Sequence, residues 1–312
     1  MPANPGSKMK KIIITGSNGL LGQKLVELLT DKADHQVIAT ARGANRLPLT
    51  NKYIYQSLDV TDPIQVENLV AREKPHFIIH TAAMTNVDQC EFEKEACWLL
   101  NVKAVEYLAN ACRKHNSFLL HLSTDFIFDG ENGPYPEEAE ANPLSYYGKS
   151  KLAAEQLLLN SDIGWSIVRT VLVYGIAHDM SRSNIILWVK KSLEDKKTIQ
   201  VVDDQWRTPT LAEDLAMGCY LVLENKAQGI FNISGKDMLT PYQMALQTAD
   251  YFDLDASFIN KADSSTFTQP ARRPLKTGFL IDKAIEQLRY NPRSFTEGIA
   301  TVAAQLQKKQ SS

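Results

Sequence analysis

The sequence has almost no net charge and few cysteines. Among its 312 residues, 34 Lys and Arg are balanced by 36 Asp and Glu, which leaves a formal charge of -2 at pH 7. No long basic tract is present, so neither nucleic acid nor an anionic membrane is indicated as a partner. The four cysteines show no metal-type pairing and the six histidines no convergent spacing, so we predict no metal site. Reduced thiols of this kind are typical of a cytoplasmic protein, and that is the location we expect.

Long hydrophobic segments are also missing. No apolar run approaches the roughly 18 to 20 residues that span a bilayer. Residues 1–10 lack the apolar core of a signal peptide. The 44% hydrophobic composition is nevertheless ample for a sizeable core, and the length allows one large α/β domain with a smaller companion.

Apolar strand segments alternate with helical segments through the first half of the chain. This pattern predicts an α/β fold with a doubly wound parallel sheet, the Rossmann arrangement. The predicted strands are 11–15, 36–41, 53–58, 77–81, 118–123 and 166–170, and the predicted helices are 20–30, 64–73, 91–114 and 146–160. We expect a dinucleotide-binding domain at 9–173 and a smaller, mainly substrate-binding lobe at 174–312. A helix at 211–223 and a strand at 230–233 are expected to return to the main sheet.

A turn with three glycines follows the first apolar run and precedes a helix. Glycine is needed where a backbone approaches a diphosphate and where a helix packs closely on a sheet. The turn therefore predicts a nicotinamide cofactor site, the alternative being an ordinary tight turn. Its predicted cofactor-binding residues are Gly16, Asn18, Gly19, Leu20, Leu21 and Gly22.

The ends of the later strands indicate which cofactor is bound. The second strand ends at Arg42 with no acidic residue, and an arginine suits the 2′-phosphate of NADPH. We therefore expect NADPH, with NADH as the alternative and a solvent-facing Arg42 as the structural explanation. Asp59 and Val60 are candidates for the adenine edge, and Ala82 and Ala83 for the backbone beside the cofactor.

Tyr147 and Lys151 are four residues apart in a predicted helix, so their side chains share one face. A lysine ammonium there is expected to lower the pKa of the phenol and make it a proton donor near neutral pH. The alternative is a pair on a solvated helix face. Thr124, at the end of the fifth strand, can stabilise charge on a substrate oxygen. Its alternative is to cap a turn.

Six motifs occur in order along nearly the whole chain. They are TGSNGLLG at 15–22, AAMTNVD at 82–88, STDFIFDG at 123–130, YGKSK at 147–151, DQ with PT at 204–210, and ARRP at 271–274. With them the chain resembles the extended short-chain dehydrogenase/reductases, and among these the dTDP-4-dehydrorhamnose reductase family. The resemblance implies NAD(P)H-dependent reduction of the 4-keto group of a nucleotide-linked 6-deoxyhexulose, most readily dTDP-4-dehydro-L-rhamnose.

The resemblance also implies roles for residues. Thr124, Tyr147 and Lys151 form the catalytic set, in which Tyr147 protonates the C4 oxygen and Lys151 holds the nicotinamide ribose. Asn101 helps to position the cofactor, unless it is a helix-surface asparagine. The substrate-binding candidates are Thr85, Val87, Asp88, Thr124, Asp125, Phe126, Arg207 and Arg273. Arg207 stands where the family often has a glycine, and we expect it to bind the nucleotide diphosphate, as an arginine does in related sugar-nucleotide enzymes. Arg273 is expected to bind an anion or to form a structural ion pair.

Several departures from the family concern the substrate and a metal. Met84 and Phe126 replace common tyrosines and Leu172 replaces a common tryptophan, which changes the sugar pocket. Lys24 replaces a glutamate that takes part in a magnesium-linked dimer in some members, so such a cation site is disfavoured. The alternatives are a reductase or epimerase of another nucleotide sugar, or a non-catalytic NADP-binding regulatory subunit, which this family also includes. A homodimer is implied by resemblance.

Overall fold

Strands and helices alternate in the first half of the chain, as the apolar runs predict. The structure is a computed structural model and describes residues 9–48, 51–178 and 184–310. The strands are β1 (Lys10–Thr15), β2 (His35–Ala41), β3 (Tyr53–Ser57), β4 (Phe77–His80), β5 (Phe118–Thr124) and β6 (Trp165–Thr170). The helices are α1 (Leu20–Thr30), α2 (Pro63–Glu73), α3 (Val87–Phe92), α4 (Lys94–Trp98), α5 (Ala104–His115) and α6 (Tyr146–Leu159).

The second half is less regular. Its strands are β7 (Val173–Tyr174), β8 (Ile199–Val202), β9 (Thr210–Leu211), β10 (Gly229–Asn232) and β11 (Ile259–Ala262). Its helices are α7 (Ile185–Glu194), α8 (Ala212–Glu224), α9 (Pro241–Tyr251), α10 (Asp282–Leu288) and α11 (Phe295–Gln310). Within the described residues, no helix is both long and apolar enough to cross a membrane.

The main sheet has seven parallel strands in the order β10, β6, β5, β4, β1, β2, β3. Successive residues of β1 belong to different sides of the sheet: Ile12 and Ile14 lie in one hydrophobic cluster and Ile13 in another. Helices cover both faces, which explains why the strands are continuous apolar runs. The predicted doubly wound α/β fold is confirmed.

The later elements return to this sheet. Ile230 of β10 pairs with Ile167 of β6, and α8 packs against α1. The remaining elements form small sheets, β8 with β11 and β7 with β9, around their own clusters of buried residues. A division of the chain at 173/174 therefore stays a prediction, since β10 and α8 lie beyond it in sequence and beside the sheet in space.

The prediction of one continuous helix at 91–114 is wrong. Glu93 adopts a non-helical backbone (φ -109°, ψ 55°) that ends α3 and begins α4, and a π-helical turn at Leu99–Lys103 separates α4 from α5. The start of α3 lies earlier than predicted because the Asn86 side chain caps it, accepting a hydrogen bond from the Gln89 N–H. The segments of the broken helix pack against α6.

Candidate active site

The glycine turn has the geometry of an anion cradle. Gly16 has a left-handed backbone (φ +72°), and a Cβ on Gly22 would lie 2.3 Å from the Gly16 carbonyl oxygen. Gly19 caps α1 without a side chain, and the first turn carries no acidic residue. The N–H groups of Leu20, Leu21 and Gly22 therefore have no helical acceptor and define the positive end of α1. These residues fit a cofactor diphosphate.

Asn18 joins this turn to the loop after β2. Its Nδ2 donates to the Ala44 carbonyl at 2.8 Å, and its Oδ1 accepts from the Arg46 N–H at 3.0 Å. Arg42, on the same loop, is exposed and forms no ion pair with the described residues. Its guanidinium is therefore available to a ligand, and the NADPH preference assigned to Arg42 stays a prediction.

The ends of β3 and β4 flank the turn. Asp59 accepts hydrogen bonds from the N–H and hydroxyl of Thr61 at 2.9 and 2.7 Å, which shapes the turn before α2. Val60 is buried in the core. A Cβ on Gly16 would lie 2.7 Å from the Ala82 nitrogen, so the β4 end lies against the turn. The cofactor contacts of Asp59, Val60, Ala82 and Ala83 stay predictions.

Helix α6 places Tyr147 beside the end of β5. The Ser145 hydroxyl caps α6 by accepting from the Gly148 N–H at 3.1 Å. A Cβ on Gly148 would lie 2.1 Å from the Phe126 carbonyl oxygen, so glycine is required for this close approach. The Tyr147 ring packs edge-on against Phe126 with centroids 5.8 Å apart and is 8% exposed. Tyr147 and Thr124 are thereby brought together, as predicted.

The expectation that Lys151 lowers the pKa of Tyr147 is wrong for this structure. Burial raises the pKa of the phenol, and hydrogen bonding with Thr124 offsets only part of that rise. The Lys151 ammonium points elsewhere: Nζ donates to the Leu122 carbonyl at 2.6 Å and lies 3.1 Å from His121 Nε2. Lys151 is itself 3% exposed, and burial lowers its pKa to about 8.

Thr124 caps the turn after β5, which was the structural alternative to its catalytic role. Its hydroxyl accepts from the Phe126 N–H at 3.2 Å and donates to Asp125 Oδ1 at 3.1 Å. Asp125 is buried and accepts a hydrogen bond from Thr277. Burial raises the pKa of Asp125, while Arg207 and Thr277 lower it in part. A cap does not prevent Thr124 from also meeting a ligand, so its catalytic role stays a prediction.

Arg207 is a structural strut in this structure. It is 5% exposed, and its Nη atoms donate to the Trp206, Leu275 and Pro274 carbonyls at 2.7, 3.0 and 2.7 Å. Its Nε lies 3.8 Å from Asp125 Oδ2. With these donors engaged inside the protein, the geometry gives no support to a diphosphate contact by Arg207.

Arg273 forms the ion pair that was its structural alternative. Its Nη2 lies 2.7 Å from Asp88 Oδ2, and its Nη1 lies 3.1 Å from Oδ1. Asp88 also accepts from the Ala271 N–H at 3.1 Å, so it ties α3 to the 271–274 segment. Thr85 is exposed and Val87 half-buried at the start of α3. The substrate contacts of these residues stay predictions.

Asn101 is not on a helix surface, because it is 1% exposed in the π-helical turn. Its Oδ1 accepts from the Met84 N–H at 2.8 Å, and its Nδ2 donates to the Ser150 hydroxyl at 3.0 Å. Asn101 therefore joins the segment after β4 to α6. Sequence reasoning missed Ser150 and Cys97 in this network, although Ser150, three residues after Tyr147, shares its helix face.

Two of the three substituted positions, Met84 and Phe126, lie beside Tyr147. Met84 packs with Tyr147, Phe126 and Cys97 in one hydrophobic cluster. Leu172, at the carboxyl end of β6, is 43% exposed and has a left-handed backbone (φ +37°), which is unusual for a side-chain-bearing residue. The surroundings of Tyr147 are therefore apolar at Met84 and Phe126.

Two places where carboxylates come close together contain lysine ion pairs. Lys24, expected to disfavour a magnesium site, lies 3.1 Å from Glu213 and 3.4 Å from Glu27. The structure also brings together Asp34, His35 and Glu224 at the opposite edge of the sheet, a grouping that the sequence did not indicate. The Lys10 ammonium lies 3.1 Å from Glu224 and 3.8 Å from Asp34 there, so these carboxylates already have a cation partner.

The chain is similar to known proteins along most of its length. The family described as RmlD substrate binding domain matches residues 9–308. Methionine adenosyltransferase 2 subunit beta of Xenopus tropicalis is 32% identical over 80% of this chain and 74% of its own. The dTDP-4-dehydrorhamnose reductase of Aggregatibacter actinomycetemcomitans is 29% identical over 95% of this chain and 99% of its own.

Solved structures extend the similarity. A dTDP-4-dehydrorhamnose reductase from Clostridium acetobutylicum has a TM-score of 0.83 and 28% identity, covering 95% of this chain and 99% of its own. One from Bacillus anthracis, solved with NADP, has a TM-score of 0.81 and 26% identity over the same shares. The chain therefore belongs to the RmlD substrate binding domain family.

Proposed function

We propose that the protein uses NAD(P)H to reduce the 4-keto group of a nucleotide-linked 6-deoxyhexulose, converting dTDP-4-dehydro-L-rhamnose to dTDP-L-rhamnose. The observation that carries this proposal is the buried Tyr147 beside Thr124, at the same edge of the sheet as the glycine cradle of α1. When bound, the cofactor supplies the hydride for the carbonyl carbon. The reductase relatives support the choice of reaction.

The side chains of this chain would supply the proton and the charge stabilisation. Burial keeps the pKa of Tyr147 high, so the phenol is protonated at neutral pH and can give its proton to the carbonyl oxygen as the C–H bond forms. The Thr124 hydroxyl lies beside Tyr147 and can donate to the same oxygen once its proton turns away from Asp125 Oδ1. Lys151 would hold the nicotinamide ribose after its ammonium turns from the Leu122 carbonyl towards the bound cofactor.

NADPH is the proposed cofactor, with NADH as the alternative. The exposed Arg42 at the end of β2 is the group in this chain that would recognise the 2′-phosphate. The Bacillus anthracis relative was solved with NADP, which supports the same choice. Measuring Kd for both cofactors by fluorescence titration tests it, and tighter binding of NADH would contradict it.

The test of the reaction is turnover with enzymatically prepared dTDP-4-dehydro-L-rhamnose and NADPH, with the sugar product identified by NMR. Formation of dTDP-L-rhamnose supports the proposal. Because Met84, Phe126 and Leu172 depart from the family pattern, the alternative is reduction or epimerisation of another nucleotide sugar. Turnover of a UDP-linked or differently configured 4-keto sugar in place of this substrate would favour that alternative.

A second candidate is a non-catalytic, NADP-binding regulatory subunit. The observation that favours it is the 32% identity to methionine adenosyltransferase 2 subunit beta. The presence of Thr124, Tyr147 and Lys151 in one site favours the enzyme, because a binding role alone does not require a buried proton donor. Tight NADPH binding without turnover of any 4-keto nucleotide sugar would favour the regulatory role.

The cellular location and the oligomeric state of the protein are also proposals. We place it in the cytoplasm, consistent with four free cysteines that are all buried. The homodimer that the resemblance implies is a prediction, which light scattering of the purified protein checks. A monomer at micromolar concentration would contradict it.

A further inference from the structure

Four polar side chains form a buried cluster beneath the candidate site. Thr15 ends β1, His80 ends β4, His121 lies in β5 and Lys151 in α6, and each is at most 3% exposed. The Thr15 hydroxyl lies 2.7 Å from His80 Nδ1, and the two imidazoles stack with centroids 5.5 Å apart and planes 22° from parallel. The Lys151 Nζ lies 3.1 Å from His121 Nε2. Of these four residues, only Lys151 has a role in the proposed reduction.

The contact between Lys151 and His121 has a fixed direction. A lysine ammonium can only donate, so His121 Nε2 must accept and the His121 proton lies on Nδ1. Burial, with the nearby Lys151 and His80, lowers the pKa of His121 well below its usual value, so the ring is neutral at physiological pH. His121 is therefore a neutral hydrogen-bond acceptor directed at the lysine.

The other groups that face Lys151 do not provide a second side-chain acceptor. Glu155, one turn along α6, is engaged by Arg169 at 2.7 Å. The Cys97 thiol of α4 lies 3.5 Å from the Ser150 hydroxyl. Within the described ranges, the hydrogen bonds of Lys151 Nζ go to His121 Nε2 and to the Leu122 carbonyl. Tyr147, one turn earlier, and His80 complete the titratable neighbours.

We propose that His121 is a positioning residue for the reduction, whose Nε2 anchors the Lys151 ammonium at β5 and keeps it charged. This role rests on the proposed function for its consequence in catalysis, but the anchoring itself is a property of the protein alone. A hydrogen bond to the charged form favours that form, so it opposes the loss of the proton that burial of Lys151 promotes. The same bond sets where the ammonium starts when it moves towards a ribose.

The test compares three substitutions that differ in one property. His121→Met removes the acceptor and keeps an apolar side chain of similar length, whereas His121→Gln keeps a carbonyl oxygen near the position of Nε2. His80→Met is the matched control, because it disturbs the same stacked pair without a hydrogen bond to Lys151. The first readout is the titration of the Lys151 side chain in 13C-lysine NMR spectra, with the signal assigned by its absence in Lys151→Met.

We expect His121→Met to lower the pKa of Lys151 by about one unit, as for loss of one hydrogen bond to a charged group. Such a shift reduces the charged fraction roughly fivefold at pH 8 and little at pH 6. His121→Gln and His80→Met should titrate like the wild type. In turnover, the alkaline limb of kcat/KM should move down by the same interval in His121→Met alone.

Three results would overturn the proposal. They are an unchanged Lys151 titration in His121→Met, an equal shift in His121→Gln, and an equal shift in His80→Met, which would indicate disturbed packing rather than a lost acceptor. Because the NMR titration needs no substrate, it decides the anchoring even if the proposed reduction fails. A wild-type protein without turnover, but with the expected titrations, would reject the proposed function and retain the anchor.

Discussion

Replacing Arg207 by methionine distinguishes a structural role of this arginine from binding of the nucleotide diphosphate. The substitution removes the donors that hold the Trp206, Pro274 and Leu275 carbonyls and leaves the buried Asp125 without its cation. Breaking a buried ion pair from one side costs about 3–5 kcal/mol, since the remaining charge is uncompensated. For a protein of this size that corresponds to a loss of about 5–8 °C in Tm.

The assay is thermal and urea unfolding followed by circular dichroism, with Arg273→Met as the matched control. Arg273 pairs with Asp88 at the surface, with side chains 19% and 33% exposed, so its loss should cost about 1 kcal/mol or less. An Arg207→Met variant with unchanged Tm and a KM for the nucleotide sugar raised tenfold or more would contradict the structural role, because that is the behaviour of a ligand-binding arginine.

Three further predictions concern the site itself. Tyr147→Phe should lower kcat by roughly two orders of magnitude or more while leaving the NADPH Kd nearly unchanged, and near-normal turnover would remove Tyr147 as the acid. Arg42→Ala should weaken NADPH much more than NADH in fluorescence titrations, whereas equal losses would exclude recognition of the 2′-phosphate. Since burial lowers the pKa of Lys151 to about 8, the ammonium is present below that pH and lost above it. We therefore expect kcat/KM to fall about tenfold per unit above pH 8, and Lys151→Arg, slower overall, to lack this limb; a flat profile in the wild type would count against a charged Lys151.

The sheet was predictable because each strand is marked by residues that are adjacent in the sequence. Each buried parallel strand is a continuous apolar run, and the glycine turn after β1 marks where the backbone must approach another group closely. The return of a strand near 230 was expected from one short apolar segment, and β10 lies there beside β6. What could not be read locally is the break at Glu93, because the surrounding residues are good helix formers.

The site was less predictable because its contacts join distant segments. Arg207 reads as a free cation in the sequence, but its partners are carbonyl groups of Pro274 and Leu275, about seventy residues later. Backbone carbonyls leave no trace in a side-chain pattern. The direction of Lys151 depends likewise on His121, thirty residues earlier on a neighbouring strand. Helical spacing placed Tyr147 and Lys151 on one helix but did not determine where each functional group points.

The proposed reduction is tested most directly by measuring NADPH oxidation by the purified wild-type protein with dTDP-4-dehydro-L-rhamnose and identifying the sugar product. We expect stoichiometric formation of dTDP-L-rhamnose and its loss in Tyr147→Phe. Tight cofactor binding with no reduction of this or any other 4-keto nucleotide sugar would contradict it.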